Sequence, residues 1–142
     1  MIDHSIEVNA ALFRELGNGN LSFPFYAGAR GGKESIMYSY LSNLSASPDN
    51  CMGQDGNIVD CVITLVQDFE SLSYSWTDIR KGARELTIAI SKLEGKLLDG
   101  NVMGSIVDIV SSSENRIENQ GLTRLVKDVR FSITTKEQKP IL

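Results

Sequence analysis

The chain has 142 residues, a net charge of −4, 42% hydrophobic and 23% charged residues, two cysteines and one histidine. That length is enough for one domain with a real core, and the balance is that of an ordinary globular protein. The acidity argues against non-specific attraction to nucleic acid or anionic membrane, and no run approaches the roughly 18 apolar residues of a membrane-spanning helix. The opening "MIDHSIEV" lacks the basic and apolar regions of a signal peptide, which predicts synthesis in a cytoplasm. One histidine with Cys51 and Cys61 is too few soft ligands for a zinc site, and in a reducing compartment the two thiols are not expected to bridge.

In chain order, Asp3 to about Leu16 reads as a first helix with Ile6, Ala10 and Phe13 on its apolar face and Gly17 as its stop. "GNGNLSFPFYAGARGGKE" reads as an irregular connector. "SIMYSYLS" alternates Ile36, Tyr38 and Tyr40 against Met37, Ser39 and Leu41, the period of a strand. The polar "NLSASPDNCMGQDGN" reads as a long loop. From Ile58 to Phe69 comes the most β-like segment, with Val59, Cys61, Ile63 and Leu65 on one face and Val62 and Val66 on the other. A strand apolar on both faces belongs in the middle of its sheet.

The segment "YSWTDIRKGARELTIAISKLEG" carries Ile79, Ala83, Leu86, Ile90, Leu93 and Leu97 at steps of four and three, one apolar stripe down a second helix. Ser75 is its expected cap, Asp78 the capping-box partner, and Gly95 or Gly100 the left-handed stop. "NVMGSIVDIVSSSE" reads as a third strand, "ENRIENQG" as a turn or loop, and "LTRLVKDVRFSIT" as a fourth strand with Leu125, Val129, Phe131 and Ile133 on one side. Residues 136–142 read as a flexible tail. The order is α-β-β-α-β-β. Short links between consecutive strands predict an α+β fold: a single domain over residues 1–142 with a mostly antiparallel four-stranded sheet and both helices on one face.

No chemical site stands out. In "AGARGGKES", three residues rather than four separate Gly28 from Gly32-Lys33, Glu34 follows, and no strand-to-helix turn awaits a phosphate. His4 lies near a terminus, and neither cysteine has a basic neighbour in sequence. The carboxylate pairs Asp68/Glu70 and Glu114/Glu118 read as solvated. Tyr38 and Tyr40 could stack bases, yet they share a face with Ile36, which favours core or subunit interface. No catalytic, cofactor-binding or metal-binding residue is assigned, and no enzyme is expected.

With the element order in hand, "IEVNAALFREL", "FPFYAG", "IMYSYLS", "VDCVITLVQDF", "DIRKGARELTIAISKLEG" and "DVRFSITT" together resemble the tail-terminator (tail-completion) proteins of long-tailed bacteriophages and their relatives in the head–tail neck. The proline that usually precedes the tyrosine strand is replaced here by "KESIMYSY". The resemblance implies a structural protein of the virion, made in the host cytoplasm. It would form a homo-oligomeric, hexameric ring that ends the tail tube and meets the head–tail connector. Its partners would be the tube protein and the connector proteins, with DNA only passing through the lumen and no membrane contact. Two alternatives stay open: another neck or connector protein, and a small cytoplasmic ligand-binding or regulatory α+β domain.

Overall fold

The computed structural model describes residues 3–17, 19–28, 37–48, 56–70 and 73–137. Eight elements follow one another: α1 (Ser5–Leu16), β1 (Phe25–Tyr26), β2 (Tyr38–Pro48), β3 (Gly56–Phe69), α2 (Thr77–Ser91), β4 (Lys96–Asp99), β5 (Val102–Asn119) and β6 (Leu122–Glu137). The strands form one six-stranded sheet in the order β1-β2-β3-β6-β5-β4. β1 runs parallel to β2, and every other neighbouring pair is antiparallel. The chain is therefore mostly β with a mixed sheet, which corrects the expected α+β fold with a four-stranded, mostly antiparallel sheet. The two missed strands have two and four residues, too few to show an alternating period.

β3 is central, as its two apolar faces predict, and it pairs with β6 from Gly56↔Lys136 to Phe69↔Thr123. Val59, Cys61, Ile63 and Leu65 of β3, with Leu125, Val129, Phe131 and Ile133 of β6, make the sheet side of the core. α2 covers them with Ile79, Ala83, Leu86 and Ile90, and Leu93 follows just after the helix, so the predicted stripe is buried as far as Leu93. Leu97 instead stands exposed on β4. The helix begins one residue later than expected, with Trp76 at the cap position. Ser75 still serves it, its Oγ accepting the Thr77 N–H at 3.2 Å. Past the helix, Gly95 turns the chain at φ +75°, a conformation open chiefly to glycine, and its N–H reaches the Gly104 carbonyl at 2.7 Å.

α1 buries a different face from the one expected. Val8, Ala11, Leu12 and Leu16 are buried, and Ile6 is 75% exposed. The helix carries two stripes at helical spacing, and contact with the rest of the core selects between them. Gly17 caps the helix with ordinary right-handed φ, its N–H bonding the Phe13 carbonyl. His4 is buried beneath this end of the sheet. Its N–H donates to Asn57 Oδ1 at 2.7 Å, and Nδ1 lies 2.7 Å from Thr135 Oγ1.

Three segments expected to be irregular are strand. β2 continues to Pro48, paired with Asn57, so residues 43–48 and 56–57 of the expected fifteen-residue loop are strand; residues 49–55 lie outside the described residues. β5 runs through "ENRIEN" to Asn119, and a two-residue turn of Gln120 (φ 51°) and Gly121 (φ 79°) leads into β6. Two successive positive φ values are those of a type I′ hairpin turn, whose twist matches the flanking strands. β6 itself extends to Glu137, taking in the first two residues of the predicted tail; residues 138–142 lie outside the described residues.

Candidate assembly surface

Because side chains alternate along a strand, the residues between those of the core emerge on the sheet face that the helices leave open. In β2 that face holds Tyr38 and Tyr40, whose neighbours Met37 and Leu41 pack toward the core. The tyrosines therefore lie on the face away from the helices, where Tyr38 is nonetheless buried together with Val62 and Val66. Ring centroids of Tyr26 and Tyr38 are 5.8 Å apart and those of Tyr38 and Tyr40 6.3 Å. Tyr38 is only 2% exposed, so it cannot offer its ring to a base. Arg124 braces this end, forking Asp68 at 2.7 and 2.9 Å. The hydrogen bond to Asp68, with further attraction from Tyr38 and Tyr40, holds the guanidinium above the ordinary arginine range.

Beside the tyrosines lies an open depression of about 470 Å³ lined by Tyr40, Ser42, Asn43, Val62, Thr64, Val126, Asp128 and Arg130. The Thr64 hydroxyl donates to Asp128 Oδ1 at 2.6 Å. The Ser42 hydroxyl lies within reach of both the Val62 carbonyl at 3.0 Å and Thr64 Oγ1 at 2.9 Å. These groups satisfy one another, an arrangement suited to a wet contact surface rather than to activating a nucleophile. Asp60 and Asp108 add exposed negative charge to the same face, in the row Ser45–Asp60–Ser132–Asp108.

The far half of the β5–β6 hairpin extends beyond the core, and every residue of β5 from Val110 onward is exposed. Ion pairs fix its direction against α2. Glu114 accepts from Arg80 Nε and Nη2, both at 2.9 Å, and from Lys127 Nζ at 3.1 Å. The Arg80 bonds, then Lys127, overcome the opposing effect of burial and bring the Glu114 carboxyl down to about 2. Arg116 donates to the Tyr74 hydroxyl and stacks on that ring at 5.2 Å. Along the hairpin stand the exposed apolar residues Ile106, Val110, Ile117 and Leu122.

Of the residues weighed from sequence, Asp68 is committed to Arg124, Glu114 to Arg80 and Lys127, and Glu118 to Arg116. Cys61 is buried and its thiol is pushed up to about 12, first by desolvation and then by Asp60, so it does not ionise near neutral pH. Gly28 lies in a bend with open space around it, whereas Gly32, Lys33 and Cys51 fall outside the described residues. The apolar residues of β5 escaped the sequence reading. Their signal was present in "SIVDIV", which places apolar groups on both faces of a strand that the sheet covers on one.

No protein-family profile matches the chain, and no curated protein matches it. Among solved structures, a chain from the virion of a native gene transfer agent particle aligns with a TM-score of 0.58 over 94% of this chain and 90% of its own. The two share a fold at 16% sequence identity.

Proposed function

We propose that the protein is a structural, non-enzymatic component of a phage-like virion, a ring-forming subunit that ends the tail tube and joins it to the head connector. The observation that carries this reading is the fold likeness to a gene transfer agent virion chain, which spans nearly the whole of both chains. The surface is consistent with assembly. A projecting hairpin with exposed Ile106, Val110 and Ile117 is a feature that a partner would cover. Exposed Asp60 and Asp108 suit a face turned to a lumen, with Arg130 balancing Asp128 beside them, because a strongly basic lining would retain DNA through its phosphates. Another neck position would use the same features.

The test is assembly on purified tail tubes, viewed by negative-stain electron microscopy. Rings seated at one tube end, and overlong tubes in particles made without the protein, are the expected results. Tubes that neither bind the protein nor change length in its absence would refute the terminator role. Rings found only at the portal end of the joint would move the protein to the connector.

A further inference from the structure

The two short strands leave the long ones half covered. β1 pairs only with Ser39 and Tyr40 of β2, and β4 only with Val102, Met103 and Gly104 of β5. Among the described residues, no strand lies outside Leu41–Pro48 or outside Ser105–Asn119. Two open edges therefore flank one block of four strands, β2-β3-β6-β5.

From these edges, and resting on the ring reading above, we infer that copies of this chain join sheet to sheet: the free edge of β5 in one protomer pairs with the free edge of β2 in the next. Three properties of the edges fit each other. The first is direction. Three antiparallel steps separate β2 from β5, so the two edges run in opposite senses and would form an antiparallel ladder when one protomer is rotated onto the next. The second is level. Following the pairs across the sheet, Leu44, Cys61, Phe131 and Ile109 form one row, and Ala46, Val59, Ile133 and Val107 the next. The free part of β2 and the near half of the free part of β5 thus lie at the same height on opposite sides.

The third property is hydrogen-bonding parity. The Ser39 N–H points outward to the Pro24 carbonyl, and the Val107 N–H points outward to Glu94 Oε1 at 3.1 Å. Alternation through the registered pairs then makes Leu41, Leu44 and Ala46 the outward-bonding residues of β2. Val107, Ile109 and Ser112 are their counterparts on β5. All of these lie on the core face of the sheet. In an antiparallel ladder paired residues share a face, so the match lets the helices of successive protomers stay on one side. Leu41, Leu44, Ala46, Val107 and Ile109 are half-buried hydrophobics at the rim of the core, and joining the edges would make their apolar layer continuous. The contact is head to tail, the kind that closes into rings. Glu94 on Val107 and Pro48 at the end of the β2 edge are the devices by which a lone protomer resists indiscriminate strand pairing.

Cysteine cross-linking tests the joint. In a Cys51→Ser, Cys61→Ala background, needed because Cys61 faces Leu44 across the β2–β3 ladder, Leu44→Cys is combined with Val107→Cys, Ile109→Cys or Ser112→Cys, which span the registers that ring curvature could select. Hydrogen-bonded antiparallel partners have Cα atoms about 5.5 Å apart, inside the roughly 4.4–6.8 Å window for a disulfide. One pair should give an oxidant-dependent ladder of multimers on non-reducing gels, and no single cysteine variant should. Ile109→Pro removes an outward N–H while sparing the β6 ladder, and should convert rings to folded monomers by native mass spectrometry. A dimer from Ile109→Cys alone would show a two-fold β5–β5 contact and overturn the inference. Rings that persist in Ile109→Pro, with no pair cross-linking, would place the joint elsewhere while leaving the ring reading intact. A wild-type protein that stays monomeric both alone and on tail tubes would remove both.

Discussion

Gly82 lies on the face of α2 that meets the sheet, where helix propensity and packing pull in opposite directions. Replacing a helical glycine by alanine gains about 1 kcal/mol of propensity. Here the added Cβ would lie 2.6 Å from Met37 Cε and 3.1 Å from both Leu65 Cδ2 and Phe23 Cε1. The methionine end can swing away, but Leu65 and Phe23 are buried and must each give by a few tenths of an ångström. Overpacking of that kind costs about 1–3 kcal/mol, so Gly82→Ala should be destabilising by up to about 2 kcal/mol in urea melts followed by circular dichroism. Met37→Ala removes the tightest contact. In that background the same substitution should cost at least about 0.5 kcal/mol less, a coupling typical of touching residues. A rise in stability on changing Gly82 alone, or an additive cycle, would refute the packing.

Leu86, fully buried in mid-stripe, should lose about 2–5 kcal/mol as alanine, while exposed Arg84→Ala should stay within roughly 0.5 kcal/mol in the same melts. Glu114 has a folded-state carboxyl depressed to about 2 against an ordinary 4.5, so its stabilisation is complete above about pH 4.5 and fades as pH falls toward 2. Solvent screening limits it to about 1 kcal/mol, and Glu114→Gln should be less stable than wild type at pH 7 and equal to it near pH 2. His4→Ala, which strips a buried hydrogen-bond partner from Thr135, should cost about 1–3 kcal/mol by urea midpoint and leave ring formation unchanged.

What the sequence disclosed and what it hid divide along physical lines. β3, β6 and α2 announced themselves because each carries an uninterrupted apolar period that the core uses in full. α1 was found but turned the wrong way, since Ile6-Ala10-Phe13 and Val8-Leu12-Leu16 are both sound helical stripes and only contacts distant in sequence choose between them. The end of β2 and the last third of β5 read as loop because Ser, Asn, Pro and Glu are poor strand formers. Pairing to β3 and β6 overrides that preference. The edges inferred to join protomers were not legible at all, because they are defined by how little of β2 and β5 the strands β1 and β4 cover.

The position of β6 beside β3 also has a kinetic side. β3 must wait for a strand that begins more than fifty residues later, so during synthesis its second neighbour is absent until β6 has been made. Until then a segment apolar on both faces, "IVDCVITLV", has one unpaired edge and no β6 to cover it. Non-local pairing of this kind slows folding and prolongs the life of aggregation-prone species. Chains truncated before Leu122 should accordingly accumulate in inclusion bodies, and yield of the full-length protein should rise when translation is slowed by cold or when chaperones are supplied in excess.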